Sequence, residues 1–145
     1  MARLIEAIGA HVPGSIAGLD AILRTRLLRK AALMAAPLTM RPLPDELLSA
    51  WFSSLHDRRV RADLRAVLQG ISSKHTLAAA ERLRTFDRPA LIVWGARDWG
   101  FPLSDAERLA VTLPCSRLEI LENARTYVQF DQPQRLAELL LEHMH

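Results

Sequence analysis

The stretch that most limits how this chain folds is Arg88-Pro89-Ala90-Leu91-Ile92-Val93-Trp94-Gly95-Ala96-Arg97-Asp98-Trp99-Gly100-Phe101-Pro102. Residues 90–94 form an unbroken apolar run with β-branched members, bounded by Pro89 and Gly95. A short run of that kind reads as a strand buried on both faces, as in a parallel sheet. Gly95 lets the chain turn off the strand without a Cβ penalty. Asp98 then stands in the loop at the strand's carboxyl end, where open α/β sheets place their ligands. A helix is predicted over 104–113, and a second strand over 117–121 with Leu118, Ile120 and Leu121. Together these make a right-handed, parallel βαβ unit. The sequence offers no third strand. Two parallel strands with apolar faces and open edges do not make a self-sufficient core. The chain therefore reads as part of a larger sheet.

Everything before residue 88 reads as helix. Residues 2–9 are a short helical candidate, broken at Pro13-Gly14-Ser15. Ser15 or Asp20 starts the next, with Ile22, Leu23, Leu27 and Leu28 on one face and Arg24, Arg26, Arg29 and Lys30 around the rest. Pro37, Pro42 and Pro44 make residues 31–44 an irregular crossing. Pro44-Asp45-Glu46 opens a helix to about Leu55, with acidic residues at its positive end. Its expected buried stripe is Leu47, Leu48, Trp51 and Phe52. Asp57 caps another helix that runs through Gln69 and stops at Gly70, with Val60, Leu64, Val67 and Leu68 at helical spacing. Ser73 or Thr76 begins one more, ending near Arg84. After the second strand, a last helix is predicted over 132–144, with Pro133 at its start and Leu136, Leu139, Leu140 and Met144 as its core face.

Composition narrows the function classes. The chain has 145 residues, half of them apolar, which is enough for one domain with a real core. Its single cysteine, Cys115, excludes an internal disulfide framework and reads as a structural thiol in a helix-to-strand turn. The net charge of +3 is uneven: residues 1–88 carry 14 Lys and Arg against 8 Asp and Glu, and residues 89–145 carry 5 against 8. That shift coincides with the first strand and marks an architectural boundary. It is too mild to imply a nucleic-acid partner, and the basic helix after Ser15 has no interleaved aromatics for stacking on bases. Residues 21–38 are the longest apolar candidate for a membrane span, and Arg24, Arg26, Arg29, Lys30 and Pro37 break it. No secretory signal is visible. The expectation is a cytoplasmic protein that binds neither nucleic acid nor membrane.

The segment Arg88-Pro-Ala-Leu-Ile-Val-Trp-Gly-Ala-Arg-Asp98, followed by Phe-Pro-Leu and a Glu-Arg-Leu-Ala helix, resembles the late region of the α/β-hydrolase superfamily. So does Asp131-Gln-Pro-Gln-Arg-Leu-Ala137, where such proteins often open their last helix. The likeness is nearest to the haloalkane-dehalogenase-like and epoxide-hydrolase-like members. The resemblance implies a helical cap over residues 1–87 and a carboxyl-terminal βαβα unit of an incomplete α/β parallel sheet over residues 88–145. It also implies that Asp98 occupies the acid position of a Ser-His-Asp triad, with no cofactor or metal and a small apolar ester, epoxide or halide as substrate.

The rest of that triad does not follow. The family's nucleophile sits in Gly-x-Ser-x-Gly or an Asp variant on a strand-to-helix elbow. This sequence has no such pentapeptide, and its nearest partial match, Gly70-Ile71-Ser72-Ser73-Lys74, follows a helix and reads as a helix stop and cap. The family's first strands and oxyanion loop find no counterpart. The family's histidine slot, in the loop after the last strand, holds Thr126 within Asn123-Ala124-Arg125-Thr126-Tyr127. Threonine does not take up a proton near neutral pH as imidazole does. His143 and His145 fall at the far end of the last helix, and His11, His56 and His75 fall in the cap-like block. Asp98 then also reads as a turn cap or a partner of Arg97 or Arg125. The expectation is a hydrolase-like protein whose own chain is catalytically incomplete. The alternatives are a non-enzymatic helical interaction and oligomerisation module, or one half of a split hydrolase. In each, the open sheet implies self-association or a partner chain that completes it.

Overall fold

The computed structural model describes residue 25 and residues 37–54, 57–70 and 72–144. The helices expected over 2–9 and after Ser15 or Asp20 lie outside the described residues. The described residues divide into two compact units, one with residues 43–76 and the other with residues 37–42 and 77–144.

In the first unit, α1 (Asp45–Ser53) starts after Pro44, with Asp45 and Glu46 in its first turn. Leu48 is its buried residue, whereas Trp51, expected in the core stripe, is 40% exposed. Helix α2 (Arg58–Gly70) starts as the sequence predicts. The Asp57 carboxylate accepts a hydrogen bond from Arg59 N at 2.7 Å, satisfying an amide that has no partner within the helix. Gly70 is the last residue of α2 itself rather than the residue beyond it. Helix α3 (Ser73–Leu83), most of which belongs to the second unit, begins at Ser73, one of the two starts the sequence offers. The cap is Ser72, whose Oγ accepts from Lys74 N at 3.3 Å and whose carbonyl accepts from His75 N at 3.2 Å.

The second unit holds the sheet. Strand β1 (Ala90–Gly95) pairs in parallel with β2 (Ser116–Leu121), in register from Ala90↔Ser116 to Gly95↔Leu121. The connection is α4 (Leu103–Thr112), entered from extended Pro102 with Asp105 in its first turn and left through Leu113 and Pro114. The strand's period of two sends Leu91 and Val93 to one face and Ile92 and Trp94 to the other. On the first face, Leu121, Ala124 and Leu139 form a core against which Leu91, Val93 and Val128 pack. On the other, Ile92 is buried, and so are Ala106 and Leu113 of the α4 crossover. The parallel strand–helix–strand order is therefore as expected, with each strand within one residue of its predicted bounds, but of β1 only Ile92 and Gly95 are buried and the other four residues are half-buried.

Two features differ. A one-turn helix, α5 (Val128–Asp131), precedes α6 (Pro133–Met144), and four residues are too few for periodicity to reveal. In α6, Pro133 takes the first helical position, where its missing N–H costs nothing. Its apolar face is only partly used. Leu139 is fully buried, but Leu140 is 47% and Met144 70% exposed. Ion pairs hold α6 to β2 beside that face. Arg117 Nε meets Glu119 Oε1 at 2.6 Å, and Arg117 Nη2 meets Glu142 Oε2 at 3.0 Å. These hydrogen bonds, Glu119's first, raise the pKa of Arg117, on a surface where such pairs add little stability.

The unequal use of α6 generates a direct comparison. Leu139→Ala removes a fully buried side chain and should cost about 3 kcal/mol in urea denaturation. Leu141→Ala, at a position 55% exposed, should change stability by less than about 0.5 kcal/mol. Equal effects would show that α6 packs through another face.

Candidate functional site

Because β1 and β2 are parallel, both carboxyl ends emerge on one side, and the candidate residues lie in the two loops that leave there. Those loops are stitched together by backbone. Ala96 N donates to Leu121 O at 3.0 Å, and Arg97 N donates to Ala124 O at 3.0 Å. The approach is close enough to require a glycine. A Cβ on Gly95 would lie 2.7 Å from the Ala124 carbonyl carbon and nearer still to the carbonyl oxygens of Ala124 and Arg125.

Asp98 is half-buried and faces its own turn. One carboxylate oxygen, Oδ1, accepts from Gly100 N at 2.8 Å and from Phe101 N at 3.0 Å. This is an aspartate organising a turn through successive amides. Trp94 Nε1 donates to Phe101 O at 3.1 Å and closes the same loop from the strand side. Among the described residues no histidine or arginine side chain hydrogen-bonds Asp98, so the expected pairing with Arg97 or Arg125 is absent there.

Thr126 lies in the second loop, two residues beyond the Ala124 carbonyl that binds Arg97. Its Oγ1 is buried and has no hydrogen-bond partner. An unmatched buried hydroxyl is unfavourable by about 1–3 kcal/mol, which makes this position unusual. The other candidates are spread out. Ser72 caps α3, His75 is exposed on α3, and His143 is half-buried near the end of α6. Cys115 is free and exposed in the turn before β2, where its carbonyl accepts from Ala90 N. His11, His56 and His145 lie outside the described residues. No three His, Cys, Asp or Glu come together as metal ligands among the described residues.

Asp131 has a role that the sequence does not disclose. Its Oδ2 accepts from Arg125 N at 2.8 Å, and its Oδ1 accepts from Met40 N at 2.7 Å. It thereby ties residues 37–42 across the mouth of both loops. Further bonds run the same way. Tyr127 N donates to Leu38 O at 3.0 Å, Arg125 Nη1 to Thr39 O at 3.3 Å, and Trp99 Nε1 to Pro37 O at 3.0 Å. The only sequence signal was Asp131 at the head of the Asp-Gln-Pro segment. Its partner Met40 is 91 residues away, beyond the reach of any local pattern. An open groove of ≈ 750 Å³ lies elsewhere, lined by Leu77, Ala80 and Arg84 of α3 and by Val111 of α4, and includes neither Asp98 nor Thr126.

The arrangement of strands, crossover and loops matches known proteins. The chain superposes on the 2-hydroxy-6-oxo-6-phenylhexa-2,4-dienoate hydrolase of Rhodococcus sp. strain RHA1 with a TM-score of 0.70 and 20% identity, over 94% of this chain and 52% of that one. For an α/β hydrolase fold protein from Burkholderia ambifaria the TM-score is 0.68 and the identity 22%, over 92% of this chain and 53% of that one. The fold is that of the α/β hydrolases. Among curated proteins, the chain is similar to haloalkane dehalogenase 2 of Mycobacterium tuberculosis, 38% identical over 56 residues, covering 38% of this chain and 20% of the relative. It is also similar to monoacylglycerol lipase ABHD6 of Bos taurus, 29% identical over 75 residues, covering 52% of this chain and 22% of the relative. The chain thus spans about a fifth of the length of these curated α/β hydrolases and about half of the solved ones. No protein-family profile matches it. Among the described residues no helix is long and apolar enough to cross a membrane.

The Asp131 tie is testable in isolation. Asp131→Asn replaces one acceptor oxygen with a donor and should speed hydrogen exchange at the Met40 and Arg125 amides about tenfold or more, with those of Ile92 and Trp94 unchanged. Unaltered protection at Met40 would show that other contacts hold residues 37–42 in place.

Proposed function

We propose that this chain is the cap and carboxyl-terminal part of an α/β hydrolase, and that its own residues do not complete a catalytic triad. In this reading residues 1–87 serve as the helical cap and residues 88–145 as the βαβα end of the hydrolase domain. The observation that carries it is the buried, unpartnered hydroxyl of Thr126, at the position that the resemblance assigns to the family's histidine. A triad needs a base there that takes the nucleophile's proton and holds it as a cation. A hydroxyl with a pKa far above neutrality does neither.

The aspartate supports the same reading. In a triad, one oxygen of the acid orients the imidazole; Asp98 Oδ1 accepts from the amides of Gly100 and Phe101, and no described histidine hydrogen-bonds its Oδ2. Asp98 keeps the acid's position in the fold and is proposed as the acid residue only in an assembled hydrolase. The nearest thing to an elbow, around Ser72, is occupied as the cap of α3. A partner chain carrying nucleophile and histidine would make this one half of a split hydrolase. The names of the similar proteins, a lipase and a haloalkane dehalogenase, point to small apolar esters or halides as the substrate class of such an assembly. A cytoplasmic location belongs to the same proposal, as does the absence of nucleic-acid and membrane partners.

The isolated chain should therefore show no saturable turnover of short-chain nitrophenyl esters. Asp98→Ala should leave the slow background unchanged. Thr126→His should also fail to raise it, since the histidine would have no nucleophile to activate. Saturable hydrolysis that Asp98→Ala abolishes would overturn the proposal and send the search for a nucleophile to Ser72, Ser73, Cys115 and Thr126.

A further inference from the structure

Residues 37–42 lie in the same compact unit as the sheet, although residues 43–76, which follow them, belong to the other. Four successive residues of this strap each give one main-chain group to the two loops and α5. Pro37 O accepts from Trp99 Nε1 at 3.0 Å, Leu38 O from Tyr127 N at 3.0 Å and Thr39 O from Arg125 Nη1 at 3.3 Å. Met40 N donates to Asp131 Oδ1 at 2.7 Å, the shortest of the four. Thr39 is buried in the middle of the strap, and its Oγ1 donates to Arg41 O at 2.6 Å, which holds the strap's own bend.

The two ends of this row are chemically unequal. At the Met40 end the acceptor is a carboxylate, and hydrogen bonds to an ionised group are roughly twice as strong as neutral ones. The other oxygen of Asp131 accepts from Arg125 N, so the strap and the second loop share one anchor. At the Pro37 end the donor is the indole of Trp99, an exposed residue inside the turn that Asp98 closes. The next two amides, of Gly100 and Phe101, are the ones that Asp98 Oδ1 accepts from.

We propose that Asp131 is a positioning residue for Asp98, acting through residues 37–42 and Trp99. The Asp131 carboxylate pins Met40, the strap carries that constraint back to Pro37, and Pro37 O pins the indole. With the indole fixed, the turn keeps the amides of Gly100 and Phe101 on Oδ1 and so sets the direction of the Asp98 carboxylate. A second route joins the loops without the strap, because Arg97 N donates to Ala124 O, next to the Arg125 amide that Asp131 holds. The indole N–H belongs to the first route alone. The inference uses hydrogen bonds within this chain and no catalytic step, so it and the reading of the chain as an incomplete hydrolase fail separately.

Hydrogen exchange on the full chain, followed by NMR, separates the routes. Asp131→Asn should speed exchange at the Gly100 amide roughly threefold to tenfold. Phe101 should respond less, because Trp94 Nε1 holds its carbonyl from β1. Trp99→Phe keeps a ring but removes the donor, and should speed Gly100 by a similar factor. In the Trp99→Phe background, Asp131→Asn should add less than about twofold at Gly100 while still freeing Met40. Coupling is reciprocal, so Trp99→Phe alone should also speed exchange at Met40. That arm decides if Asp131→Asn does not fold, since Trp99 is exposed. Unchanged exchange at Gly100 in Asp131→Asn, or at Met40 in Trp99→Phe, overturns the proposal. So does a full, additive effect of Asp131→Asn in the Trp99→Phe background, which would put the coupling on the Arg97–Ala124 route.

Discussion

The carboxyl ends of the two strands are organised by one close approach, that of Gly95 to the carbonyls of Ala124 and Arg125. No side chain fits between them, so the turn after β1 can lie directly on the loop after β2. Two backbone hydrogen bonds, Ala96 to Leu121 and Arg97 to Ala124, then form across the gap. Asp98 and Thr126 take their places from that contact, one residue past Arg97 and two past Ala124. Arg125 in turn offers its amide to Asp131, which reaches Met40 and brings residues 37–42 over both loops. A β-carbon at residue 95 would disturb this whole arrangement before it reached the hydrophobic core.

On the proposed reading, the same contact explains how the loops of a hydrolase-like fold persist without a complete triad. The Asp98 carboxylate is worth keeping for structural reasons alone, because it satisfies two amides in a turn that would otherwise expose them. In the assembled fold the same loop would present the acid to a histidine. Here the neighbouring loop has Thr126, held in place by Arg125 and Tyr127 on either side, with its hydroxyl buried and unpaired. The scaffold at this end depends on main-chain groups and on Asp131. A change of side chain at residue 126 leaves them intact.

Much of this fold was legible in the sequence, for local reasons. The apolar run between Pro89 and Gly95 fixes β1, the Pro102 and Pro114 punctuation brackets α4, and a parallel pairing follows from the helix between the strands. Asp57 as a cap is likewise a local matter. Long-range features were not legible. Periodicity identified Leu139, Leu140 and Met144 as one apolar face but carried no information on what covers it, and only Leu139 is buried. The one-turn helix α5 is shorter than any repeat. Asp131 read as a helix-opening residue, when its carboxylate bridges segments brought together only by folding. At the candidate site, the positions of Asp98 and Thr126 in adjoining loops were foreseen. The inward turn of the Asp98 carboxylate was named only as one reading among several, because the hydrogen-bonding partner of a loop aspartate is set by the loop's final geometry.

The central claim is that this chain has the loop geometry of an α/β hydrolase without an activated nucleophile. Treatment with a fluorophosphonate, which phosphonylates only a serine made nucleophilic by a neighbouring base, tests this most directly. Intact-mass measurement should show the unmodified chain after prolonged incubation. Stoichiometric modification at one serine, lost in Asp98→Ala, would contradict the account.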